Sequence, residues 1–110
     1  MKLKIENELT MSNIKALFTD AYYNWSNNVD NSVDLTDIYI TDNGERIASY
    51  SIVLAKVKYS EDIFMKLIDS EGDRKDIHEI TSVDDAQLSY MHMLNIAKNK
   101  LKKEYLSTKM

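Results

Sequence analysis

Two histidines, His78 and His92, are the only imidazoles in the chain, and imidazole is the side chain best suited to hold a transition metal or to move a proton near neutral pH. Their spacing matches neither H-x-x-x-H nor H-E-x-x-H, the patterns that aim two rings at one ion from a single helix. Both are therefore expected to be ordinary surface or core-edge residues, with protonation-dependent tuning of an interface as a secondary role. Oxygen ligands are arranged more suggestively. Asn28, Asp30, Ser32 and Asp34 alternate like the opening of a calcium loop. The rest of that pattern is missing: no glycine holds the sharp turn, and the twelfth residue counted from Asn28 or Asp30 is Tyr39 or Thr41. A solvated loop is expected there. Asp69, Glu71 and Asp73 surround Gly72, a combination that a tight turn explains.

Nucleophilic and phosphate chemistry find less support. The chain has no cysteine, which excludes disulfides, thiolate metal sites and cysteine nucleophiles and favours a cytoplasmic location. Gly44 and Gly72 are the only glycines, so there is no P-loop, no GxGxxG and no G-x-S-x-G elbow. Paired carboxylates, Glu61-Asp62 and Asp84-Asp85, do acid–base work only in a cleft that desolvates one of them. No enzymatic activity, cofactor or metal is expected.

The elements that position these residues are legible from periodicity. Ile14, Leu17, Phe18, Ala21, Tyr22 and Trp25 form an apolar stripe that predicts a helix over residues 12–26, with Ser12 as its N-cap and the Asn-rich stretch from Asn24 to Asn31 ending it. Tyr23 is expected to point away from that stripe. From Leu35 the period becomes two. Asp42-Asn43-Gly44-Glu45 predicts a hairpin with a type I′ turn. A two-residue loop then sets Ile40 opposite Ile47, Tyr39 opposite Ala48 and Ile38 opposite Ser49. The run Ile52 to Val57, apolar on both faces, predicts a central strand. Residues 61–69 fit either a short helix or a strand joined through Ser70-Glu71-Gly72-Asp73 to a second strand at residues 76–80, and the hairpin is preferred. Ser82-Val83-Asp84-Asp85 starts a last helix, with Ala86, Tyr90, Leu94, Ala97, Leu101 and Tyr105 on one face. The expected architecture is a single α+β domain over residues 1–110 with two layers. An antiparallel sheet of three to five strands, opening with a short edge strand at residues 2–7, packs with an N-terminal and a long C-terminal helix.

The helix–sheet–helix order over residues 12–106 is similar in topology to double-stranded RNA-binding domains, which carry a basic cluster at the start of the last helix. Here that start, Ser82-Val83-Asp84-Asp85, is acidic, and no family is assigned on the topology.

Charge is unevenly distributed along the chain. Residues 30–85 hold six basic and fourteen acidic groups, a net −8, whereas residues 86–110 hold five and one, a net +4. The leading expectation is a non-enzymatic protein-binding module that presents Asp30, Asp34, Asp37, Asp42 and Glu45 to a basic or nucleic-acid-binding protein. A small phage or mobile-element protein inhibiting a host factor, as anti-CRISPR proteins do, fits that description. Two alternatives stand beside it. Lys98, Lys100, Lys102, Lys103 and Lys109 would contact phosphates in a nucleic-acid-binding protein, and Tyr90, Met91 and Met93 would form an adaptable patch for a partner or for a homodimer. No window approaches the roughly 20 apolar residues of a membrane span, and Met1 to Thr10 contain no continuous apolar run of the kind a signal peptide needs.

Overall fold

In the computed structural model, which describes residues 1–107, Asn43 and Gly44 both take left-handed backbone angles, φ 53° and 83°. The type I′ turn requires both, and only a residue pair tolerant of positive φ supplies them. The hairpin they close joins β2 (Asn31–Asp42) to β3 (Glu45–Lys56). β1 (Lys2–Glu6) pairs with the distal half of β2, and β4 (Ile63–Asp69) with β5 (Arg74–Ile80) completes an antiparallel sheet in the order β1-β2-β3-β4-β5. Residues 61–69 thus enter a hairpin, as preferred, and β3 is the central strand. α1 (Met11–Asn24) and α2 (Val83–Leu101), the latter extended by a π-helical turn over Lys102–Leu106, share one core with the sheet. The result is an elongated two-layer α+β domain with extents of 50 × 25 × 21 Å.

The hairpin register differs from the expected one by a residue. Thr41 pairs with Arg46, but Ile40 then pairs with Ala48, Tyr39 with Ser49 and Ile38 with Tyr50. Ile47 is the extra residue of a β-bulge and is exposed. The core decides this outcome. With the bulge, Tyr50, Ile52 and Leu54 share the helix-facing side with Ile38 and Ile40, and all five are buried. Without it Ser49 and Ser51 would take those positions, because a one-residue slip turns every side chain to the opposite face. A second irregularity at Leu35 places Leu35 and Thr36 successively in the interior.

Ile14, Phe18 and Ala21 of α1 are buried as the stripe predicts. Tyr22 departs from it and is 59% exposed; at 100° per residue it lies on the flank of the stripe that Ile14, Phe18 and Ala21 centre. The N-cap is Thr10 rather than Ser12. Its hydroxyl accepts from the Asn13 N–H at 3.1 Å while Asn13 Oδ1 accepts from the Thr10 N–H at 3.2 Å, a reciprocal cap that starts the helix at Met11.

In α2 the expected cap is present, with Ser82 Oγ accepting from Asp85 N–H at 3.0 Å. Asp85 in turn accepts from the Thr81 hydroxyl at 2.6 Å and the Thr81 N–H at 3.1 Å. These bonds to Thr81, side chain first and backbone second, hold the Asp85 carboxyl below its ordinary range. A depressed folded-state pKa contributes stability that is complete above the unfolded value, near 3.9 for aspartate, and is lost as pH falls through the folded value. Carboxyl-carbon NMR titration should therefore place the Asp85 midpoint below that of an unfolded-chain aspartate. Thr81→Val should move it upward, and an unchanged midpoint in that variant would show the hydroxyl to be irrelevant.

Tyr90 is the largest fully buried side chain. Its hydroxyl accepts from the Leu9 N–H at 2.9 Å and meets Thr36 Oγ1 at 2.7 Å, and Thr36 donates to the Asn7 carbonyl at 2.9 Å. With the threonine proton committed to Asn7, the tyrosine proton must go to Thr36. One network thereby ties α2, β2 and the β1–α1 connection together. Among the described residues every buried side-chain nitrogen or oxygen has a partner. No described helix is long and apolar enough to cross a membrane.

Candidate functional site

Exposed apolar and aromatic side chains gather at the end of the molecule where α1 stops and β3 gives way to β4. α1 ends at Asn24, where Trp25 turns to an extended conformation and packs against the core. Tyr22 and Tyr23 remain in solvent, 59% and 75% exposed, with their rings edge-on at a centroid distance of 4.9 Å. The loop that follows is fastened by Asn31, whose amide donates to the carbonyls of Ser26 and Val29. It is then joined to the β3–β4 loop. Tyr59 N–H donates to the Asn27 carbonyl at 2.6 Å, and Lys58 N–H to Asp30 Oδ1 at 2.8 Å.

That junction holds Tyr59 in the left-handed region at φ 64° with its side chain 79% exposed. An aromatic L-residue is disfavoured there by roughly 1–2 kcal/mol. Burial does not compensate, because the ring is in water. Val29 and Val57 are exposed on the same two loops. A groove of about 280 Å³ opens beside them, lined by Tyr22, Tyr23, Trp25, Asn27, Lys56, Glu61 and Ile63. Lys56 is itself buried, and its ammonium donates to the Trp25 carbonyl at 3.1 Å. Glu61 and Asp62 lie on the β3–β4 loop, and Asp20, whose carboxylate accepts from Asn24 Nδ2 at 2.7 Å, lies on the last turns of α1.

No family model, curated protein or solved structure matches the chain. The site is accordingly read from its own chemistry.

The five carboxylates expected to act as one acidic surface are not brought together. Asp30 lies in the aromatic end and Asp34 near it on β2, Asp37 sits at mid-strand, and Asp42 and Glu45 flank the hairpin tip. At about 3.3 Å per residue they span roughly 40 Å. Asp37 is already engaged, accepting from Ser51 Oγ at 2.8 Å and facing Arg46 Nη1 at 3.6 Å. The same arginine pairs with Glu6 at 3.1 Å and stacks over the Tyr39 ring at 3.7 Å.

The patch of Tyr90, Met91 and Met93 is corrected by burial. Tyr90 and Met93 are core residues at 1% and 0% exposure, whereas Met91 is 48% exposed. Consecutive helical positions diverge by about 100°, so the three cannot share a face. Met91 does line a shallow groove of about 280 Å³ with Met11 and Leu94.

The lysines of the last helix also diverge. Lys98 and Lys102 follow one side, Lys100 and Lys103 another, as i, i+4 and i, i+3 spacing dictates; Lys109 lies outside the described residues. Their surroundings are not purely basic. Burial first, and then the nearby Glu104 and Asp69 carboxylates, push the Tyr50 hydroxyl above its ordinary value, so the basic helix end adjoins the acidic β4–β5 turn. Charges segregated in sequence therefore mix in space. In that turn Asp69 Oδ1 accepts from the N–H groups of Glu71 and Asp73 at 3.0 and 2.9 Å, confirming its role in closing the chain reversal.

The calcium-like alternation also dissolves, since Ser32 and Asp34 belong to β2 rather than to a loop. The histidines are the reverse case. β5 and α2 bring His78 and His92 to a ring separation of 5.5 Å beside Asp76. Sequence spacing missed this cluster because its members come from two elements. The one signal available was the strand alternation that puts Asp76 and His78 on the same face.

Proposed function

We propose that this chain is a non-enzymatic protein-binding domain whose docking surface is the aromatic end formed by Tyr22, Tyr23, Val29, Val57 and Tyr59. The observation that carries the reading is Tyr59, an aromatic residue held at positive φ with its ring in solvent. The loop junction fixes the backbone, but the exposed ring is approached only by the Lys58 ammonium at 5.6 Å among the described residues, and backbone strain at such a residue is a pointer to function. Tyrosine gives large, rigid contact area at low entropic cost and is enriched in the cores of protein interfaces. The carboxylates of Asp20, beside Tyr23, and Glu61, beside Tyr22 and Tyr23, favour one partner chemistry: a protein surface rich in arginine and lysine, whose cations stack on tyrosine faces and pair with the rim. In its finer form this reading makes the chain a stoichiometric inhibitor of a basic, nucleic-acid-binding host factor, of the kind that phages and mobile elements carry.

Tyr59→Gly separates function from folding, because glycine relieves the φ strain while removing the ring. Its melting temperature should equal or exceed that of the parent chain. Capture of basic host proteins should be lost in Tyr59→Gly and in Tyr23→Ser, and kept in the hairpin-tip variant Asp42→Lys with Glu45→Lys. Loss only in the tip variant, or undiminished capture in both tyrosine variants, would refute the assignment. Retention of duplex RNA or DNA at low salt, abolished by Lys100→Glu with Lys103→Glu, would favour the nucleic-acid reading instead.

A further inference from the structure

Asp76 and His78 occupy alternate positions of β5 and face α2, which supplies His92 and Ser89. His78 Nε2 lies 3.2 Å from Asp76 Oδ2, and His92 Nε2 lies 3.9 Å from the same oxygen. Two imidazole nitrogens thus converge on one carboxylate oxygen, with the rings nearly parallel at an interplanar angle of 22°. From this geometry we propose that Asp76, His78 and His92 form a binding site for a divalent transition-metal ion of the zinc class.

Three features support a metal site over a plain ion pair. A metal held at about 2.0–2.2 Å by nitrogen and oxygen donors in tetrahedral geometry sets neighbouring donors about 3.3–3.6 Å apart, and the two observed separations bracket that range. The longer one involves His92, the most exposed of the three side chains at 58%, which has the freedom to close the difference. The second nitrogen of His78 is anchored: Nδ1 lies 3.0 Å from Ser89 Oγ. When Nδ1–H donates to that hydroxyl, the Nε2 lone pair is left facing Asp76 and the ring is fixed in orientation. That is the outer-shell support typical of metal-bound histidine. Finally, imidazole and carboxylate together suit zinc, nickel, cobalt or copper better than calcium or magnesium. Three protein ligands leave at least one coordination position for water or for a donor from another molecule.

The site shares no residue with the aromatic end and stands or falls independently of it. The test is calorimetric titration of the full chain with Zn²⁺ alone, repeated with Co²⁺, whose visible absorption reports coordination number. The parent chain should take up one ion. His92→Gln and Asp76→Asn should each weaken binding by more than about 10-fold, and Ser89→Ala, which leaves all three ligands in place, by about 10-fold. Asp73→Asn, in the acidic turn, should leave affinity unchanged. Because His92 is largely exposed, thermal unfolding of His92→Gln in a chelator should match the parent, separating ligand loss from misfolding. A parent chain that binds no more Zn²⁺ than the His92→Gln variant would overturn the proposal, as would affinity that survives both ligand substitutions.

Discussion

Tyr90→Ala is expected to bring the chain close to the unfolding threshold. The side chain is 1% exposed and is the largest of the fully buried ones, and truncating an aromatic of this kind to alanine costs about 3–5 kcal/mol in transfer and cavity terms. The hydroxyl adds to this. Without it the Leu9 N–H has no acceptor and Thr36 Oγ1 loses its donor, and an unsatisfied buried polar group costs about 1–3 kcal/mol. The total is comparable to the 5–15 kcal/mol that holds a typical domain together.

Tyr90→Phe isolates the polar part. It keeps the ring and should lower stability by about 1–3 kcal/mol, read from the urea midpoint at unchanged slope. Thr36→Val removes the neighbouring hydroxyl, which also donates to the Asn7 carbonyl. A double-mutant cycle between the two should return a coupling of about 0.5–3 kcal/mol, as expected for groups in one network. Additive costs would mean that the two hydroxyls act separately, and a phenylalanine variant as stable as the parent would mean that the Leu9 N–H finds water instead.

The features read correctly from sequence are those fixed by a few adjacent residues. Asn43-Gly44 specifies its turn because both positions need positive φ, and Ser82 specifies a helix start because its hydroxyl reaches the N–H three residues on. Both are local, and both are present. What could not be read is decided by contacts between distant segments. The bulge at Ile47 exists because Tyr50, Ile52 and Leu54 must meet Ile38 and Ile40, a demand that the core makes and the turn does not. The same holds at the sites. Asp30 through Glu45 look like one acidic run, but an extended strand spaces charges apart rather than gathering them. His78 and His92, fourteen positions apart in the chain, meet only because α2 returns along β5. Tyr59 gave no signal at all: its backbone angle is set by Asn27 and Asp30 across the loop junction, which no local pattern encodes.

Met93→Ala and Met91→Ala should differ by several-fold in their effect on stability although the residues are two positions apart. Met93 is completely buried among the core residues of α2 and the sheet, and Met→Ala at such a site costs about 2–5 kcal/mol. Met91 is half in solvent, where substitutions away from special features stay within about 0.5 kcal/mol. The contrast follows from helix geometry. Two positions advance the helix by about 200°, so a residue facing the sheet at 93 obliges its counterpart at 91 to face away. The comparison also decides how far the self-association reading extends. Were the methionines a joint interface, both alanine variants would weaken a concentration-dependent oligomer and neither would strongly affect the isolated chain. With Met93 in the core, its loss must appear as a lower urea midpoint at every protein concentration, and Met91 alone is left to contribute to any contact between copies. Equal midpoints for the two variants would place Met93 outside the core and undo the packing on which the α2–sheet layer rests.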